Sequence, residues 1–370
     1  MSSYGPGLLF HKPYSTEEYS GTIYLNYCTG TTNEGYNRLG KTVPFLQEYG
    51  DEDLLRHFID PSVGADNIES LGKVIFSGTL SFERLTLFYS KNIHKHCFMS
   101  IATVVQNLQV DDITPAITLY KPLNQADQQR LEILESKIPT SLNTSGMLTT
   151  AIEFGYNRIF ENFESINFLQ FFIKGSVATP EVVHGYNLSI LQYPLAGNIS
   201  FAYPVTTILV LGINNHLNFG VHGTIIPFQP RQVSAPVNRI NSHNSILAAE
   251  ICALTVYPKP VLSSVFYVEA HSFITNFMTT VGYGSSWGMP WRISAIDQKT
   301  YPDDVINDNE LLNGWNITSM FFQVDYSFRS EKHPFAPSLF LAYVFPLAGR
   351  YFPKINIISG AFNLGLSCDF

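Results

Sequence analysis

Six ionisable residues have the most regular setting in this sequence: Glu153, Lys174, His222, Glu269, Asp325 and Arg329. Each lies in a segment where apolar and polar residues alternate, and each falls on the polar side of that alternation. Successive side chains of a β-strand point to opposite sides of the sheet, so such segments predict strands with one apolar and one polar face. On the polar face the six residues can line a path for solutes or form a structural network of charges, and both interpretations stay open.

The sequence offers little for covalent or metal chemistry. It contains no dinucleotide-binding GxGxxG and no HExxH. His94 and His96, two residues apart beside Lys95, are a weak metal pair and more typical of an exposed turn. The acidic runs 51–53 and 303–310 lack the calcium-loop pattern, which favours solvated loop charge. We therefore predict no catalytic residue, no metal site, no cofactor and no enzyme activity.

The composition indicates a surface that does not face water alone. Of the 370 residues, 14% are charged and 14% are aromatic, whereas about a quarter of an ordinary soluble domain is charged. No stretch approaches the roughly 20 consecutive apolar residues of a membrane helix. The net charge of −8 disfavours a nucleic-acid partner. The four cysteines lie far apart and leave any disulfide pairing open.

The order of strands and connections predicts an all-β, closed antiparallel barrel. Long and short connections alternate along the chain, and only the last connection, 347–354, is shorter than this rule requires. Long loops on one rim, tight turns on the other and an even strand number are typical of transmembrane barrels. The twelve predicted strands are 19–29, 75–91, 97–108, 146–159, 167–177, 200–213, 216–228, 260–270, 275–286, 316–329, 337–346 and 355–370.

The last thirteen residues, 358–370, are apolar at every even position except Gly360 and end on Phe370. A terminal strand of this kind resembles the closing strand of a bacterial outer-membrane β-barrel of the porin-like class. The resemblance implies a bacterial outer-membrane location, contact with the lipid bilayer, and recognition of Phe370 by the barrel-assembly machinery. It divides the chain into a periplasmic segment, 1–18, and one barrel domain, 19–370. Met1–Lys12 lacks the pattern of the signal peptide that such a protein requires.

Further details complete the predicted barrel. Trp287, Trp291 and Trp315 cluster around one loop, which suits an aromatic belt at the membrane interface, although ordinary loop packing is the plainer explanation. Residues 124–138 predict a short amphipathic helix at the outer mouth. In 75–91 the apolar residues change parity, which predicts a β-bulge near Glu83 and Arg84. If residues 159 and 168 face each other at the base of the short connection 160–166, Glu153 and Lys174 face each other on the lumen wall as a charge pair.

The favoured function is an outer-membrane channel or passive transporter that carries small solutes through a narrow polar lumen. The first alternative is a structural or adhesive barrel whose long loops bind other surfaces. The second is a secreted β-sandwich binding protein, because sandwich strands also alternate between a buried and a wet face. The terminal Phe370, the low charge and the clustered tryptophans favour the barrel.

Overall fold

The computed structural model describes residues 21–47, 72–120, 122–161, 163–180, 182–184, 200–214, 216–237, 250–271, 276–307, 312–328 and 335–366. Twelve strands form a closed antiparallel barrel within these ranges. They are β1 (Gly21–Thr32), β2 (Gly72–His94), β3 (Cys97–Leu119), β4 (Leu142–Glu161), β5 (Phe168–Ala178), β6 (Val205–Gly212), β7 (Leu217–Ile226), β8 (Val261–His271), β9 (Phe277–Gly288), β10 (Trp315–Ser327), β11 (Phe335–Arg350) and β12 (Asn356–Leu366).

Every one of these strands has two barrel neighbours. β1 pairs with β2 on one side and with β12 on the other, and β3 pairs with β4. A β-sandwich instead consists of two open sheets, so the sandwich alternative is wrong. The predicted closed barrel of twelve strands is confirmed. Closure pairs the backbone groups of all strands and leaves no sheet edge, which is the condition for crossing a bilayer with strands.

The alternation of side chains gives the barrel two distinct surfaces. In β7 the exposed side chains Phe219, Val221 and Ile225 alternate with Asn218 and His222, which are buried. Phe322 on β10 is 44% exposed, whereas its neighbour Gln323 is 6% exposed. The predicted faces of both strands are confirmed, with an apolar outer surface and a mixed interior.

The predicted bulge near Glu83 and Arg84 is wrong. The even-numbered residues of β2 stay on the buried side past these positions, and β2 keeps its register with β3 from Thr79 to Asn92. The parity change arises because apolar residues such as Phe76 and Phe82 point inward, while Leu85 and Leu87 point outward. The two register shifts of this pair lie elsewhere, between Ser77 and Thr79 and between Asn92 and His94.

Residues of the long connections enter the barrel at its long-loop rim. Short strands Glu34–Tyr36, Thr42–Pro44 and Phe352–Pro353 form a small sheet that joins the first and last long connections. Phe45 and Leu46 follow this sheet and are buried in the same cluster as Phe76 and Val110. Helix α1 (Gln125–Lys137) confirms the helix predicted over 124–138, and its Leu131 packs against that cluster.

A second group of outer-loop elements has its own apolar core. Strands Arg231–Val237, Glu250–Tyr257 and Arg292–Ala295 form a sheet beside the short helix α2 (Asp303–Asn307). The short strand Val182–His184 extends the sheet along β4.

Among the described residues, neither helix is long and apolar enough to cross a membrane.

Candidate channel interior

Glu153 and Lys174 form an ion pair inside the barrel. Nζ of Lys174 lies 2.9 Å from Oε1 and 3.0 Å from Oε2 of Glu153. The hydroxyl of Ser100 on β3 donates a third hydrogen bond, 2.7 Å long, to Oε2. The two charged side chains are only 12% and 9% exposed. A carboxylate buried to this extent requires such partners, because an unpaired charge away from water is costly.

A chain of hydroxyl groups continues the polar surface on the neighbouring strands. Thr206 on β6 is the Cα partner of Lys174, and its Oγ1 lies 3.0 Å from Oγ1 of Thr224 on β7. Oγ1 of Thr224 lies 3.2 Å from Nε2 of His222, a residue that is 1% exposed. Ser100, Glu153, Lys174, Thr206, Thr224 and His222 thus form a polar arc across five adjacent strands, β3 to β7.

The remaining predicted residues lie in a separate polar group nearer the short-turn rim. Nδ2 of Asn218 donates to Oε2 of Glu269 at 3.3 Å. On β10, Nε2 of Gln323 donates to Oδ1 of Asp325 at 2.9 Å. Glu269 and Gln323 are the Cα partners of Thr280 on its two sides. The strands that carry Glu269 and Asp325, β8 and β10, are therefore separated by β9. Arg329 lies outside the described residues.

Arg84 is an interior cation that the sequence analysis missed. Its guanidinium donates through Nε and Nη2 to Oε1 of Gln106, at 3.1 and 2.6 Å, and the residue is 9% exposed. The predicted bulge excluded Arg84 from the residues expected to point inward. Without a bulge, the even-numbered positions from Gly72 to Ser90 all lie on the inner side, and Arg84 is one of them. Glu83, its neighbour, is exposed on the outer side and accepts a 3.0 Å hydrogen bond from the Tyr27 hydroxyl.

The interior is more apolar than a narrow polar lumen implies. Phe98 and Phe172 stack with ring centroids 5.2 Å apart directly beside the polar arc. Ile208, Val265 and Tyr267 continue this apolar surface, and all are buried. The polar arc therefore lies beside an apolar patch of the same inner wall.

The structure separates the three tryptophans that the sequence grouped at one interface. Trp287 is 43% exposed on the outer face of β9. Trp291 packs against the core of the outer-loop sheet, and Trp315 points inward and contacts Phe352 at a centroid distance of 5.1 Å. The plainer explanation of loop packing fits Trp291. Phe370 lies outside the described residues.

Two motif spacings occur without the structural context that each motif needs. Residues 35–42 read Gly-Tyr-Asn-Arg-Leu-Gly-Lys-Thr, the GxxxxGK[ST] spacing of a phosphate-binding loop, but they connect the short strands Glu34–Tyr36 and Thr42–Pro44, whereas that loop lies between a strand and a helix. Residues 284–288 read Gly-Ser-Ser-Trp-Gly, the GxSxG spacing of a serine nucleophile. Ser286 lies within a strand and donates a 3.0 Å hydrogen bond to Ser263, whereas a nucleophile of this motif needs a strand-to-helix turn. No group of three metal-ligating side chains occurs among the described residues, where His94 is exposed.

Neither a protein-family model nor a curated protein sequence matches the chain. Solved structures do. An outer-membrane channel from Pseudomonas putida F1 superimposes with a TM-score of 0.53 at 13% identity, over 96% of this chain and 99% of that one. This chain has the fold of an outer-membrane β-barrel. More distant similarities are to the transport unit of the autotransporter AIDA-I from Escherichia coli, with a TM-score of 0.41 and 8% identity over 98% and 95% of the two chains. The NanC porin superimposes with a TM-score of 0.31 at 9% identity, over 93% of this chain and 100% of that one.

Proposed function

We propose that this barrel is a passive channel for small solutes in the bacterial outer membrane. The observation that carries the proposal is the polar arc, which places a buried ion pair, three hydroxyls and a histidine on the inner wall of a closed barrel. A barrel that served only as a scaffold could be filled more cheaply by apolar side chains, because a buried ion pair seldom stabilises a fold more than apolar residues of similar volume do.

Transport in this proposal depends on selection along the inner wall, without covalent catalysis. Glu153, Lys174 and His222 line the path at the level of the polar arc, and Glu269 and Asp325 line it nearer the short-turn rim. Arg329 joins the second group by its parity in the sequence. Rings of charged side chains are a general means by which pores choose between ions. Together with Arg84, the proposed path contains three carboxylates and three cations, so its net charge favours neither sign of ion.

The same proposal places the apolar outer surface in lipid and assigns the C-terminal strand, with Phe370, to recognition by the barrel-assembly machinery. Exposed apolar side chains on strands around the barrel support the contact with lipid. They include Leu25 on β1, Ile101 on β3, Phe154 on β4, Phe266 on β8 and Leu341 on β11. In water such a surface would be an aggregation site, whereas in a bilayer it is the required one.

Conductance of the refolded protein in a planar bilayer tests the proposal. We expect steady single-channel steps, and we expect Lys174→Glu to shift the reversal potential in a salt gradient towards cations. A folded, inserted protein that never conducts ions or admits small solutes into vesicles would refute the channel function.

A second candidate function, a barrel that binds other surfaces through its loops, is supported by one observation. The outer-loop sheet has its own apolar core, which includes Leu254 and Val256, both 0% exposed, and Ile293. Loops that serve only as connections need no such core. A non-conducting barrel whose outer loops bind cells or matrix would favour this function over the channel.

A further inference from the structure

Four interior residues on adjacent strands form a row in which glycine and an aromatic residue alternate. Gly220 on β7 is the Cα partner of Tyr267 on β8, Tyr267 is the partner of Gly282 on β9, and Gly282 is the partner of Phe321 on β10. We call these four residues the glycine–aromatic row. They form one continuous row on the inner wall, because directly paired residues of adjacent strands stand side by side.

Each ring of the row lies over the glycine of the preceding strand. A Cβ atom added to Gly220 would coincide with the ring of Tyr267, and one added to Gly282 would coincide with the ring of Phe321. The two aromatic residues are each 3% exposed. The rings therefore lie flat against the barrel wall, in recesses that exist only because the two glycines lack side chains.

The same contact occurs on other parts of the wall. Phe98 lies over Gly155 in the polar-arc region, and Phe168 and Trp315 lie over Gly212 and Gly288 near the two rims. Gly155 is less suited to experiment, because an added Cβ would also lie 2.9 Å from the carbonyl oxygen of Ile173. At Gly220 and Gly282 the three nearest atoms all belong to the ring, so the ring is the group that must move.

Glycine in the middle of a strand destabilises the strand relative to alanine, and it often marks a close approach of another group. Covering a strand glycine with an aromatic ring recovers part of that stability. This explains why a ring covers each glycine. It does not explain why large rings occupy the interior, where valine or isoleucine would fill the wall.

We infer that the glycine–aromatic row sets the aperture of the channel. Side chains on a strand ordinarily stand away from the sheet. In a barrel of twelve strands, whose bore is intermediate, two upright rings would extend towards the axis. The recesses hold Tyr267 and Phe321 against the wall, so the two rings take up less of the bore than upright rings would. Gly220 and Gly282 are thus specificity-determining positions, and the inference rests on the proposed channel function.

The test is single-channel conductance of alanine variants at the recesses. Gly220→Ala and Gly282→Ala displace a ring from the wall, so we expect conductance to fall by about twofold or more and the largest admitted solute to become smaller. Removing the ring has the opposite effect, so Tyr267→Ala should raise conductance. Gly220→Ala combined with Tyr267→Ala should recover at least the conductance of the unmodified protein.

Two glycines on the outer face provide matched controls. Gly223 lies three residues from Gly220 on the same strand, and an added Cβ would lie 3.5 Å from Oγ1 of Thr207. An added Cβ on Gly175 meets nothing within 4 Å. Gly223→Ala and Gly175→Ala make the same chemical change without moving a ring, so both should conduct like the unmodified protein.

The outcomes separate this inference from the channel function. If the unmodified protein is silent, the channel function fails and the inference fails with it. If it conducts but folded Gly220→Ala and Gly282→Ala match the controls, the recesses serve packing alone and only the inference is overturned. If Gly220→Ala does not fold, Tyr267→Ala decides, because unchanged conductance without the ring would also overturn the inference.

Discussion

Lys174 and Glu153 form an ion pair across a diagonal of the β4–β5 pairing, not between directly opposed residues. The Cα partner of Lys174 is Gly155, and that of Glu153 is Ser176. Nζ nevertheless lies 2.9 Å from Oε1, because a long side chain such as lysine reaches the diagonal neighbour on the adjacent strand. The sequence paired residues 159 and 168, whereas Ile159 is opposite Gln170. The predicted register is therefore wrong by two residues, and the predicted charge pair still forms.

The buried ion pair should be worth far more to stability than an exposed one. Lys174→Met leaves the carboxylate of Glu153 without its cation, and breaking a buried pair in this way typically costs about 3–5 kcal/mol. Combining it with Glu153→Gln should recover much of that loss. The pair Lys354–Glu34 is the control, since its side chains are 36% and 49% exposed. Lys354→Met should cost about 0–1 kcal/mol. Denaturant titration in lipid vesicles measures the free energies of unfolding.

Reversing a charge of the polar arc should change ion preference. Lys174→Glu replaces the cation with a carboxylate beside Glu153 and should raise the preference for cations, measured as a reversal potential in a salt gradient. The double exchange Glu153→Lys with Lys174→Glu keeps one charge of each sign, so we expect it to fold and to keep the original preference. Lys299→Glu is the control, since it makes the same charge change in an outer loop and should leave the reversal potential unchanged. An ion preference that is unaltered in Lys174→Glu would place this residue off the conduction path.

Two neighbouring residues of β10 should respond differently to the same substitution. Phe322 is exposed on the outer face and Gln323 is buried on the inner face, two residues from Asp325. An arginine on the lipid face near mid-membrane costs about 2–4 kcal/mol, so Phe322→Arg should destabilise the barrel strongly. Gln323→Arg gains an acidic neighbour and should mainly alter conductance. Equal losses of stability in a denaturant titration would show that the faces are assigned wrongly.

The outer loop between β9 and β10 should have an acid-sensitive turn. Hydrogen bonds from Thr300, through its side chain and then its backbone N–H, lower the pKa of Asp297, with a smaller contribution from the N–H of Lys299. Because the pKa of Asp297 is lowered, its ionised carboxylate stabilises the turn at every pH above the ordinary aspartate pKa. That stabilisation is lost as the pH falls through the lowered pKa. Amide chemical shifts of Lys299 and Thr300 should follow that titration. The response should be absent in Asp297→Asn, and its persistence there would assign it to another group.

The sequence alone determined the features of this barrel that depend on local periodicity. A strand exposes alternate side chains to opposite surroundings, so the inward parity of Glu153, His222 and Gln323 and the outward parity of Phe322 were readable from their neighbours. Turn signals and apolar alternation located twelve strands within a few residues. Strand ends were less well predicted: β3 extends to Leu119, eleven residues beyond the predicted 108, because its upper part pairs with β2 above the apolar outer band.

Only the tertiary structure decided which distant residues meet. The register between β4 and β5 depends on how the short turn and the whole closed barrel accommodate each other, and a shift of two residues leaves every side chain on its predicted face. β2 carries apolar residues on both faces because loop residues such as Phe45 and Leu46 fill the upper interior, so its periodicity resembled a bulge. The ring of Tyr267 lies over Gly220 because barrel closure aligns strands separated by a loop of more than thirty residues. A periodic pattern contains no information about such contacts, since they follow from closing the sheet on itself.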